Sequence, residues 1–86
     1  MAKKKYSPVE KLKYHEERGQ KMRASNKGWY SREWVSGYND PYADRNIDAA
    51  RAEIAQKKSQ GVPNKRLIGL YGYLNGAKAK LSQKNR

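Results

Sequence analysis

An all-α fold is what this sequence predicts: a small bundle of three to four helices, ending in an antiparallel helical hairpin, with basic flexible termini. Three observations predict it. Ser7-Pro8-Val9-Glu10 reads as a helix start: Ser7 can cap, Pro8 suits the first helical position and Glu10 completes a capping box. Leu67, Leu70, Tyr71, Leu74, Ala77 and Leu81 recur at helical spacing on one face. Between them and the apolar stripe Ile47, Ala50 and Ile54 lies Gly61-Val62-Pro63-Asn64, a turn short enough to fold two helices back on each other.

Residues 1–6 form an expected basic arm, with Lys3, Lys4 and Lys5 in it. The first helix is expected from Pro8 to about Ala24. Val9, Leu12, His15, Gly19 and Met22 share one side of it, while Lys11, Lys13, Glu17, Arg18 and Lys21 point elsewhere. Ser25-Asn26-Lys27-Gly28 has the composition of a helix stop. Most of the aromatic mass follows, and Tyr30, Trp34, Tyr38 and Tyr42 recur every four residues. On one continuous helix they would form a ladder. Gly37 and Asn39-Asp40-Pro41 argue against continuity, because proline lacks a backbone N–H and disfavours helix at the residue before it. The expectation is a short helix from Ser31 to about Tyr38, a turn, and a new helix capped by Asp40.

Asp40, Asp44 and Asp48 then lie near that helix's positive end, and Lys57 and Lys58 near its negative end. Glu53 and Lys57 make a favourable i,i+4 pair. Gly61 is the expected C-terminal cap, with Pro63 just beyond. Asn64 is expected to cap the last helix, which runs to about Ser82, so one domain spans 7–82 and a basic tail 83–86.

The core inventory is thin. Leu, Ile and Val total eleven of 86 residues and Phe is absent, a balance associated with disorder at high net charge. Two Trp and seven Tyr offset this, since each aromatic buries a large area. The expected fold is marginal. With no Cys, disulfides and thiol chemistry are excluded. No apolar run is long enough to span a membrane, and Met1 to Tyr6 lack the apolar stretch of a secretory signal, so a cytoplasmic protein is expected.

The net charge of +12 points to a polyanionic partner. Residues 1–32 carry ten Lys and Arg against Glu10, Glu16 and Glu17; residues 33–53 are net acidic; Ile54 to Arg86 holds eight bases and no acid. The leading expectation is a nucleic-acid-binding accessory protein that grips the phosphate backbone of RNA or DNA. Its candidate contacts are Lys57, Lys58, Lys65, Arg66, Lys78, Lys80, Lys84 and Arg86, together with Lys27, Trp29, Tyr30 and Arg32, where aromatics beside cations suit stacking on single strands. The alternative is a phage or mobile-element protein that binds a nucleoprotein, such as a CRISPR nuclease inhibitor or a virion component. Trp34, Tyr38 and Tyr42 would be its protein contacts.

The last helix also carries Gly69, Gly72 and Gly76 opposite its leucines. Three interior glycines cost roughly 2 to 3 kcal/mol of helix stability relative to Ala. Either a phosphate backbone or another helix approaches closely there. Ala49, Ala52 and Ala55 form a second small-residue face, so tight packing within the chain or across a homodimer is expected.

A sequence-reading helix-turn-helix fits less well: the last helix is rich in Gly and Leu and poor in residues that read base edges. A membrane-surface helix ranks lower still, because its lysines do not gather on one polar face. Enzyme activity, a cofactor and a metal are not expected. His15-Glu16 begins a zincin-like pattern, but Gly19 stands where a second ligand would be needed.

Overall fold

Ser7 starts the first helix as its sequence implies. Its Oγ accepts the Glu10 N–H at 3.2 Å, and Glu10 Oε1 accepts the Ser7 N–H at 3.1 Å. The computed structural model describes residues 7–84, and its order is α1 (Pro8–Lys21), α2 (Asn26–Asn39), α3 (Ala43–Ser59), a 3-10 turn (Asn64–Arg66) and α4 (Ile68–Lys84). Among the described residues there is no strand, so the chain is an all-α bundle of four helices. The expected arm at 1–6 and the last two residues of the tail lie outside the described residues.

The first two helices depart from the sequence expectation at their junction. α1 ends at Lys21 because Ser25, expected to help stop it, instead caps α2. Ser25 Oγ accepts the Gly28 N–H at 3.2 Å and donates to the Met22 carbonyl at 3.0 Å. The segment read as a stop is therefore a start, and Trp29 and Tyr30 belong to a helix. α2 ends at Asn39, close to the expected end near Tyr38, and so contains Gly37. Gly37 is a contact point: a Cβ there would run into the Tyr73 carbonyl oxygen and the Ala77 nitrogen of α4.

This contact is part of a longer seam. Gly72 of α4 lies against the Tyr30 carbonyl and Gly76 against the Trp34 carbonyl. Residue numbers rise together on both helices, so α2 and α4 run parallel, with backbone against backbone. The last helix is thus packed on both sides. Its glycine face meets α2, and on its opposite face Leu74 and Ala77, with Leu67 just before the helix, join Ala43, Ile47 and Ile54 of α3 in the main apolar core. α1 packs mainly on α2 and in part on α4, and α3 packs mainly on α4.

α3 and α4 form the expected antiparallel hairpin. Gly61 has φ 83°, the left-handed conformation that favours glycine. The Val62 N–H bonds the Lys57 carbonyl and the Gly61 N–H bonds the Lys58 carbonyl, each at 3.0 Å, which is a Schellman closure. Asn64 does not cap α4 directly; it opens the 3-10 turn, which delivers Leu67 into the core at 1% exposure.

Asp40 joins three helices. α3 starts at Ala43, two residues later than expected, because Pro41 and Tyr42 form a turn. Asp40 Oδ1 accepts the Tyr42 N–H at 2.8 Å, and Oδ2 accepts the Asn46 amide at 2.8 Å and the Tyr73 hydroxyl of α4. Its backbone carbonyl accepts Lys80 Nζ at 3.2 Å. The Tyr73 hydrogen bond, then those from Asn46 and the Tyr42 N–H, hold the carboxyl below its ordinary pKa. Tyr73 is pushed up to about 12 by burial first and by the carboxylate second.

The glycine seam and the Asp40 joint can each be tested by one substitution. Gly76→Ala gains about 1 kcal/mol of helix propensity, but its methyl collides with the Trp34 carbonyl, a backbone atom that cannot swing away. Overpacking of this kind costs about 1–3 kcal/mol or more, so the variant should unfold at lower urea. A rise in the urea midpoint would mean that the helices separate freely.

Asp40 has a depressed native pKa, so its stabilisation is present above the ordinary carboxylate value and is lost as pH falls through the native one. Tyr73→Phe removes the main cause. Thermal melts of the variant should show a lower midpoint at pH 7 and a shallower decline from pH 5 to pH 2 than the parent.

Candidate nucleic-acid interface

The aromatic residues of α2 divide between interior and surface. Trp34 is 3% exposed and stacks on the His15 ring of α1, centroids 4.5 Å apart, and on Tyr38, 5.6 Å away. His15 Nδ1 is 2.9 Å from Ser31 Oγ, a buried pair. Trp34 is therefore part of the interior, although the protein-docking alternative needs it at the surface. Tyr38 is half-buried beside it, and Tyr42 alone of that trio is open, at 60% exposure. Trp29 lies with its indole over Gly69 and is 40% exposed.

The basic candidates fall into separate groups. Lys57 pairs with Glu53 at 2.9 Å, and Lys58 Nζ lies 5.5 Å from the Tyr71 ring centroid. With exposed Lys65 and Arg66 they flank the α3–α4 turn. Two other bases are engaged by carbonyls. Arg32 Nη1 donates to Gly19 O at 3.3 Å and Arg23 O at 3.1 Å, closing the C-terminal end of α1, where a cation suits the helix dipole. Lys80 holds the Asp40 carbonyl as described above. Lys27 borders a hollow of about 220 Å³ with Arg18, Asn26, Tyr30 and Ile68. The Lys84 side chain and Arg86 lie outside the described residues.

The remaining candidate, Lys78, points to a feature that no spacing in the sequence reveals. It stands on α4 across from Lys11 and Lys13 of α1, and between them opens a cleft of about 1030 Å³. Tyr14, Tyr30, His15 and Trp34 supply its aromatic surface, and Asn75 reaches in from α4. Asn75 Nδ2 donates to the Tyr30 hydroxyl at 2.8 Å. Arg18 Nη1 donates to the Tyr14 hydroxyl at 3.1 Å, with its guanidinium carbon 5.7 Å from the ring centroid. Tyr14 is still 55% exposed. Glu10 and Glu17 also border the cleft, and Glu10 is held in the Ser7 capping box.

Sequence reasoning missed Lys11, Lys13, Tyr14 and Asn75 as site residues, because they come from the first and last helices of the chain. The one available signal was Tyr14 and His15 standing beside Lys11 and Lys13.

The glycine face of α4 is occupied by α2, which removes it both as a phosphate cradle and as a homodimer face; Ala49, Ala52 and Ala55 of α3 are exposed. Among the described residues no group of three or more His, Cys, Asp or Glu could hold a metal ion, and no helix is long and apolar enough to cross a membrane. Comparison with protein-family models, with curated proteins and with solved structures gives no match.

Burial, then Arg18 and Lys11, lowers the His15 pKa from its ordinary value. The native state prefers the neutral ring, so its stabilisation is complete above about pH 6.5 and is lost as pH falls through the lower native value. Melts between pH 7 and pH 5 should show a falling midpoint that His15→Gln flattens. An unchanged slope in the variant would exonerate His15.

Proposed function

We propose that this chain is a small nucleic-acid-binding accessory protein that acts in the cytoplasm and binds mainly through phosphate contacts. The observation that carries this reading is the net charge of +12, with Ile54 to Arg86 free of acids. The arrangement of the bases supports it. Lys27, Lys65, Arg66 and Lys78 are exposed and form no ion pair among the described residues. Their charge is thus not consumed by folding. Each phosphate they neutralise would release a condensed counterion and give a steep salt dependence.

The test is fluorescence anisotropy with labelled single-stranded RNA, single-stranded DNA and duplex DNA, from about 50 to about 200 mM salt. Binding that persists at the upper salt, with a steep log–log slope, is the expected result. Lys65→Gln with Arg66→Gln should weaken binding and reduce the slope by about 0.7 to 0.9 for each phosphate no longer neutralised. Equal loss of all three ligands at the upper salt would redirect the search to a protein partner, with Tyr42 as the open aromatic of the expected docking trio.

A further inference from the structure

The cleft between α1 and α4 combines two surfaces. One is aromatic: the exposed ring of Tyr14, the half-buried ring of Tyr30, and His15 over Trp34 beneath them. The other is charged and net basic, with Lys11 and Lys13 beside Glu10 and Glu17 on one wall and Lys78 on the opposite wall. We propose that this cleft, resting on the nucleic-acid reading above, receives an unpaired base of a single-stranded nucleic acid, with the neighbouring phosphates against the three lysines.

Chemistry chooses this occupant over others that the cleft could admit. An acidic peptide would satisfy the lysines but offer no π-face to Tyr14 and Tyr30. An apolar peptide would cover the rings but leave the net positive charge of the border, three lysines against Glu10 and Glu17, unmatched. A base in a duplex has both faces stacked and is held away from the surface by its own backbone. An unpaired base flanked by phosphates matches both surfaces, and aromatic stacking is tolerant of base identity.

The walls are also set before any ligand arrives. Arg18 anchors the Tyr14 hydroxyl at 3.1 Å, and Asn75 anchors the Tyr30 hydroxyl at 2.8 Å. Tyr30 and Asn75 both line the cleft, which places a polar pair beside the ring. Pre-set rings lose little rotamer freedom on binding, which keeps more of the stacking energy as affinity.

The experiment compares thymidine and uridine ten-mers with an abasic ten-mer of the same phosphate count, at about 150 mM salt, with poly-glutamate as competitor. At least one base-bearing ten-mer should bind more tightly than the abasic one. Tyr14→Leu should remove that advantage, a loss of about 5-fold to about 150-fold for one stacked base, while Tyr14→Phe keeps it. Tyr14 is 55% exposed, so a circular-dichroism melt should find the leucine variant folded. Lys78→Gln, on the opposite wall, should weaken base-bearing and abasic strands alike. This second variant holds the proposal to account even if the first misfolds.

Equal binding of base-bearing and abasic strands would overturn the base site and leave the phosphate-binding function standing. No binding of either would overturn both. An advantage that survives Tyr14→Leu, a Lys78→Gln variant that binds both strands as the parent does, or displacement by poly-glutamate as effective as by the ten-mers would also overturn the base site.

Discussion

The backbone-to-backbone contact of α2 with α4 is the constraint on which the rest of this molecule depends. Gly37, Gly72 and Gly76 remove the side chains that would otherwise hold two helices apart. The gain is dispersion attraction between main chains along a parallel seam, in a protein whose aliphatic inventory could not fill a wide interior. The cost is helix propensity at each glycine. Once the two helices touch, the main apolar faces have their places. The leucine face of α4 turns to α3, and the aromatic face of α2 turns to α1.

This division explains the two unlike centres of the bundle. On the α3 side the interior is aliphatic, built from Ile47, Ile54, Leu67 and Leu74 with alanines between them. On the α1 side it is aromatic and polar, with His15 hydrogen-bonded to Ser31 and stacked on Trp34. Asp40 ties the two sides, since its carboxylate and carbonyl together reach Tyr42, Asn46, Tyr73 and Lys80. A carboxylate with that many donors works as a joint between helices rather than as a free charge.

The same geometry opens the cleft. α1 lies mainly on α2 and meets α4 only in part, so a gap remains between α1 and the later turns of α4. Tyr14, His15, Tyr30 and Trp34 therefore line the gap. Charge collects at the rim because both flanking helices are lysine-bearing. Two bases expected to contact nucleic acid instead bond backbone carbonyls, Arg32 at the end of α1 and Lys80 at the end of α2. Net charge alone could not distinguish these from Lys78, which stands open.

By itself the sequence determined the helical class, the capping box at Ser7, the left-handed Gly61, the stripe of α3 and the apolar face of α4. Each of these depends on residues within a few positions of one another, where spacing and local hydrogen bonds decide. Locally Ser25 followed by Gly28 suits a helix stop as well as a cap, and its hydrogen bonds to Gly28 and Met22 make it the cap of α2. Tertiary structure decided what Gly37 meets: it lies inside the expected helix, and α4 approaches it closely. The partner of the glycine face was equally open in the sequence, because absence of a side chain reports close approach without saying of what. The cleft was hidden for the same kind of reason: Tyr14 and Lys78 become neighbours only through the way α1 and α4 are both set against α2.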